Sequence, residues 1–181
     1  MSIDELESST PGLIAQLRGM PTKLRYRVAT VFVDHYSRLS YVHLQKSTSA
    51  EETIQAKEAF ERFAASHGTK VFHYHADNGI LADNKFKEHV FRNGQTLSFC
   101  GVNAHFQNGI AERKIRELQE HARTMLIHAN RRWPSAVNTN LWPYALRMAS
   151  DILNATPSVK GEEAPFNLFA QTTIAMNPKH W

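Results

Sequence analysis

The chain has 181 residues, 42% of them hydrophobic and 21% charged, with a formal net charge of +4 at pH 7. That length suits one compact domain with enough apolar material for a core, and the composition excludes a disordered or fibrous chain. A single cysteine, Cys100, excludes an internal disulfide framework and a cysteine-rich zinc module. No apolar run nears the roughly 18 residues of a membrane span, and the first residues lack a signal-peptide pattern. The expectation is a soluble, intracellular protein with no membrane partner. The mild basic excess permits a nucleic-acid partner without requiring one.

In chain order, Met1 to Leu6 reads as a short strand, broken by Ser8-Ser9-Thr10-Pro11-Gly12. Arg25 to His35, rich in Val, Thr, Tyr and Phe, reads as a long strand. Tyr36-Ser37-Arg38 turns it, and Ser40 to Gln45 returns as its hairpin partner. Ser49 followed by Glu51 and Glu52 opens a helix, since a polar cap and early acids satisfy the free amides and suit the dipole. It stops at Gly68. Lys70 to Ala76 is a β-branched and aromatic strand ending in the turn signal Asp77-Asn78-Gly79.

A helix over Ala82 to Phe91, a short strand over Thr96 to Cys100 and a polar loop over Gly101 to Gly109 come next. The loop is expected to be mobile without a ligand. A long helix then runs from Ile110 to Ala129, with Ile115, Leu118, Ala122, Met125 and Leu126 as its apolar stripe. The last helix covers Leu141 to Asn154, with Pro143 in its first turn. Residues 1–155 are read as the core, and 156–181 as an irregular extension, a truncated connection to a further domain. The order β-β-β-α-β-α-β-α-α implies a mixed five-stranded sheet with helices on both faces, the ribonuclease H-like arrangement.

Three acids occupy places that chemistry would choose. Asp4 lies on the first strand, Asp77 closes the fourth beside a glycine turn, and Glu112 sits in the first turn of the long helix. In this topology strands one and four are neighbours and the helix crosses their ends, so the carboxylates can converge. Phosphodiester chemistry needs such a cluster, because two hard cations about 3.5–4 Å apart activate the attacking oxygen and stabilise the leaving one. Each acid taken alone has a plainer reading, as a turn cap or a helix-dipole partner. Cys100 reads as a small buried hydrophobe. His73 and His75, alternate residues on one strand face, read as ordinary residues without further ligands.

Local motifs add to this. Asn108-Gly109-Ile110-Ala111-Glu112-Arg113-Lys114 resembles the "NG-x-AER" segment of copia-type long-terminal-repeat retrotransposon integrases. Asp77-Asn78-Gly79 resembles their second-aspartate motif, and the 34 residues between Asp77 and Glu112 are close to the family's spacing. Val33-Asp34-His35-Tyr36-Ser37-Arg38 is similar to "VD-x-x-SR", and Leu141-Trp142-Pro143-Tyr144-Ala145 through Asn154 to "LW-x-x-A…N". The resemblance implies a D,D,E polynucleotidyl transferase that trims element ends and joins them to target DNA. It makes Asp4, Asp77 and Glu112 both the catalytic and the metal-binding residues, holding Mg2+ or Mn2+ as two ions.

The resemblance also implies element-end and target DNA as partners, a homo-oligomer when active, and nuclear action in a eukaryotic host. It assigns the first acid to Asp4 rather than Asp34, which is left to brace the turn at Ser37 and Arg38. The loop before the glutamate, Val102 to Gln107, lacks the family's usual Pro and Gln. Asn108, Arg113, Lys114, Arg116 and Gln119 are the candidate DNA contacts. Arg113 to Arg132 carries six Lys or Arg residues. The alternative for this helix is a solvated face with Arg113 paired to Glu117. Competing functions are a ribonuclease H-like nuclease and a decayed remnant that only binds DNA.

Overall fold

The computed structural model describes residues 1–14, 22–77, 83–101, 108–159 and 162–171. Among them are β1 (Ser2–Gly12), β2 (Tyr26–Val33), β3 (Ser40–Gln45), α1 (Ala50–Ser66), β4 (His73–Ala76) and α2 (Asn84–Arg92). Then come β5 (Thr96–Phe99), α3 (Gly109–Arg132), a 3-10 turn (Thr139–Leu141), α4 (Trp142–Ala155) and α5 (Pro165–Ala170). One sheet runs in the order β3-β2-β1-β4-β5. β1, β2 and β3 pair antiparallel, while β1–β4 and β4–β5 pair parallel. This is the expected mixed sheet.

Helix limits follow local chemistry. The Ser49 side chain accepts from the Glu52 amide, and Asp83 caps α2 through the Lys85 amide. Beyond α1, Gly68 takes a φ of +74°, a left-handed turn that glycine adopts without strain. Asp34 braces its turn as expected: Oδ2 accepts from the Ser37 amide and hydroxyl, both at 2.8 Å.

Apart from shifts of a few residues at other ends, such as α3 running on to Arg132 and β2 ending at Val33, three elements depart from expectation. β1 does not stop at Ser8 but continues to Gly12, with a register shift between Glu7 and Gly12. The Ser8 hydroxyl bonds both the amide and the carbonyl of Thr10, so the turn chemistry makes an irregularity within the strand rather than an end. β4 starts at His73 rather than Lys70, and the Val71 carbonyl is taken by the Gln95 side chain. The segment expected to be irregular from Thr156 onward contains α5, whose Phe169 is buried against Phe60 and Phe63. Residues 172–181, part of the expected connection to a further domain, lie outside the described residues, as do 102–107 of the expected mobile loop and 78–82 after Asp77.

Two cores sandwich the sheet. On one side, α1, α2 and α5 bury Ile3, Phe32, Phe60, Tyr74, Ala76, Phe86 and Val90, with Phe32 and Phe60 stacked at 4.7 Å. On the other, α3 and α4 bury Leu6, Val31, Val33, Ala111, Leu118 and Leu146. Each large apolar side chain so buried contributes about 1.5–3 kcal/mol. α3 packs on β1 and β2 and against α4, which fixes where its first turn meets the sheet. No helix among the described residues is long and apolar enough to cross a membrane.

Candidate active site

The parallel ladders place Ile3 opposite Ala76, and Ala76 opposite Phe99. The residues that follow are Asp4 within β1, Asp77 just beyond the end of β4 and Cys100 just beyond the end of β5. Ile3 and Ala76 point into the α1–α2 core. Strand alternation sends Asp4, like Leu6, to the opposite face, where α3 packs. Asp77 leaves β4 at the same end of the sheet, directly after Ala76.

α3 delivers the third acid. Glu112 lies in its first turn beside the fully buried Ala111. Asn108, immediately before the helix, is also fully buried, and its Nδ2 donates to the Ile3 carbonyl at 3.3 Å. One hydrogen bond thus joins the start of α3 to β1 at the residue preceding Asp4.

Cys100 senses the arrangement. Its amide donates to the Ala76 carbonyl at 3.0 Å, and its Sγ lies 3.6 Å from His75 Nε2. Burial pushes the thiol above its ordinary value, and the charges of Asp77, Glu112 and Asp4, in that order, push it further the same way. The expectation of a small buried residue holds, with 2% of Cys100 exposed, but its place among the acids was missed. Aligning the ends of β4 and β5 would have found it.

Carboxylate oxygens are the donors that a hard divalent cation prefers, so the residue types fit magnesium or manganese. Among the described residues, however, no three His, Cys, Asp or Glu side chains are gathered closely enough to enclose an ion. The shared end of the sheet is common to the three acids; a closed ligand shell is not.

The nearby histidines are occupied by hydroxyls. His73 meets Thr96 Oγ1 at 2.7 Å and Ser98 Oγ at 2.9 Å, while His75 Nδ1 meets Ser98 Oγ at 2.8 Å. Partial burial holds the His73 imidazole below its usual value, with further positive charge acting the same way. Both match the ordinary role expected of them.

The expected DNA contacts divide. Arg113, Arg116 and Gln119 are exposed on α3. Lys114 is largely covered and pairs with Glu117 at 2.7 Å, so the ion pair on this face is Lys114–Glu117 and not the Arg113–Glu117 pair considered from spacing. Asn108 differs most from expectation. Fully buried and bonded to Ile3, it braces the helix start and presents no surface to DNA. Beyond Gln119 a groove of about 1110 Å³ runs between β1, α3 and α4, lined by Leu6, Glu7, Arg123, Ile127, Arg131 and Trp142.

No family profile matches the chain. It is similar to the retrovirus-related Pol polyprotein from transposon RE1 of Arabidopsis thaliana, with 30% identity over 148 residues, or 78% of this chain. The corresponding polyprotein from transposon RE2 of the same plant is 30% identical over 155 residues, or 81% of the chain. The chain spans only 9% and 10% of those two polyproteins. Among solved structures, the fold is similar to the integrase catalytic core of HTLV-2 in complex with magnesium, with a TM-score of 0.63 and 18% identity, covering 93% of each chain. The BIV integrase catalytic core gives a TM-score of 0.63 at 17% identity, over 94% of this chain and 92% of that one. A chain of a simian T-cell lymphotropic virus intasome gives 0.66 at 17% identity, over 93% of this chain and 52% of that one.

Proposed function

From a chain that is a homologue of copia-type retrotransposon Pol polyproteins and carries the ribonuclease H-like fold of retroviral integrase cores, we infer a DNA integrase core. It performs 3′-end processing and strand transfer with Asp4, Asp77 and Glu112 as its metal-holding carboxylates. The observation that supports this reading is the register that sets Asp4 and Asp77 directly after the paired Ile3 and Ala76, with the Asn108–Ile3 bond joining the start of α3 to the same strand.

The three acids would hold magnesium or manganese, as the HTLV-2 core is described with magnesium. Cations bound there supply charge to the attacking and leaving oxygens of an in-line displacement at phosphorus. The chain's own residues do the rest. The carboxylates fix where the reacting phosphate sits, held by a strand, a strand end and a helix that are each packed into a core. Arg113 and Arg116, exposed and close to Glu112 on the helix, are placed to take phosphates and set the register of a duplex without reading its bases. Gln119, seven positions after Glu112, is placed to touch bases or phosphates on the same side. DNA and further copies of the chain are the proposed partners.

The test is strand transfer with magnesium on a labelled DNA end. Glu112→Gln should abolish cutting and joining while leaving DNA affinity nearly unchanged, because the carboxylate acts on the transition state and the arginines hold the DNA. Equal activity in the two proteins would refute the assignment. DNA binding without magnesium-dependent product from the wild type would leave a binding remnant.

A further inference from the structure

We propose that Asn108 is a positioning residue for the carboxylate centre, setting the separation of Glu112 from Asp4 through its bond to the Ile3 carbonyl. The inference rests on the triad reading above. It goes beyond that reading by assigning a function to a side chain that touches neither DNA nor the reacting atoms.

The geometry is specific. Ile3 immediately precedes Asp4, so the accepting carbonyl lies one residue from the first acid. Asn108 precedes Glu112 by four residues, about one turn and 6 Å of helix. A single hydrogen bond of 3.3 Å therefore spans the two elements that carry these acids, between residues 105 apart in sequence. Its donor is fully buried, so water does not compete for it.

Asn108 is not explained as a helix cap. Its backbone adopts φ −91°, ψ 16°, and its side chain makes no capping bond to the α3 amides. A residue at this position that stabilised the helix would accept from those amides, whereas Asn108 donates across to the sheet. Its Oδ1 is buried and finds no hydrogen-bond partner among the described residues. An orphaned buried acceptor costs about 1–3 kcal/mol. What a carboxamide provides here in return is the N–H that reaches Ile3.

Like charges repel, and the three carboxylates are not drawn to coordination distance among the described residues. A tether at one turn from Glu112 limits how far α3 can yield to that repulsion. Residues that orient metal ligands typically change metal affinity by about 10–100-fold when removed.

The experiment compares wild type, Asn108→Ala, Asn108→Ser and Glu112→Gln. Melting temperature is measured in EDTA and across a Mn2+ series, and DNA affinity is measured in EDTA. Asn108→Ala should melt lower in EDTA and also need about tenfold more Mn2+ to reach half of the metal-induced rise. Its DNA affinity should be unchanged. Asn108→Ser, with a shorter donor, should fall between, and it carries the comparison if Asn108→Ala does not fold. A lower melting temperature with the wild-type Mn2+ midpoint overturns the inference, because Asn108 would then be structural only. Weakened DNA binding with an unchanged midpoint overturns it in favour of a DNA contact. A midpoint that Glu112→Gln shifts but neither Asn108 variant does overturns this inference alone. One that Glu112→Gln leaves intact overturns the triad reading as well.

Discussion

The carboxamide of Asn154 in α4 pairs with the backbone of Ser40 at both of its atoms. Oδ1 accepts from the Ser40 amide at 2.9 Å, and Nδ2 donates to the Ser40 carbonyl at 2.7 Å. Ser40 opens β3, an edge of the sheet, so the side chain stands where a neighbouring strand would pair. Asn154→Leu leaves the Ser40 amide unpaired beneath α4, while the Ser150 hydroxyl still donates to the Ser40 carbonyl at 3.0 Å, so the fold should lose about 1–3 kcal/mol. Urea unfolding checks this; a loss under about 0.5 kcal/mol would contradict it.

Gly12 has no room for a side chain. A Cβ built there would lie 2.4 Å from Pro143 Cγ and 2.8 Å from Trp142 Nε1. Trp142 also donates to the Thr10 carbonyl at 2.9 Å, clamping the end of β1 to the start of α4. Gly12→Ala should therefore cost about 1–3 kcal/mol through overpacking, and indole fluorescence should report a displaced Trp142. Wild-type stability and emission together would show that the clamp yields freely.

Glu5 faces away from Asp4, toward α1. Burial holds its carboxyl above the ordinary value, against the hydroxyls of Thr53 and Thr30, which donate to Oε1 and pull the other way. The folded chain thus binds this proton more tightly than the unfolded chain. The associated stability is fully present below the unfolded carboxylate value, about 4.3, and is lost as pH rises through the folded value. Glu5→Gln should melt above wild type at pH 7, by about 2–4 °C for each kcal/mol gained, and should lose that advantage at pH 4. A constant difference across that range would show that titration of Glu5 is not its source.

On the α3 face, Arg116 is exposed whereas Lys114 is engaged by Glu117. Arg116→Ala should flatten the salt dependence of DNA affinity by about 0.9 in log–log slope if it removes one phosphate contact. Lys114→Ala should change the slope less. Glu117→Gln, by releasing Lys114 and removing a negative charge, should raise affinity at low salt. The opposite ranking of the two basic residues would mean that DNA displaces Glu117 from its partner.

The elements most legible in the sequence were those whose signal is local. β3 alternates, α1 opens on a serine that caps it, and Asp34 followed by Ser37 is a turn that closes on itself. The elements that carry the acids were legible too: Asp4 lies within β1, Asp77 just after β4 and Glu112 in the first turn of α3. What stayed hidden depends on contacts between distant segments. The six residues of α5 are too few to show a period, and their apolar character has meaning only against Phe60 and Phe63. Spacing pointed to Arg113 as the partner of Glu117, whereas the structure pairs Glu117 with Lys114, three positions away and largely covered. Asn108 looked like a surface residue because its motif adjoins the acids, and nothing local reveals the Ile3 carbonyl behind it.

The docking of α5 has a kinetic consequence. Thr69 Oγ1 donates to the Phe169 carbonyl across 100 residues of sequence, and the Phe169 ring stacks on Phe63 at 6.0 Å. Closing a loop of that length is entropically costly before any contact rewards it. Among the described residues, five strands and α1 to α4 all precede Phe169 in the chain, and until it docks the rings of Phe60 and Phe63 lack that cover. A chain in which α5 has not docked therefore leaves that aromatic face open, the kind of exposed apolar surface on which partly folded chains associate.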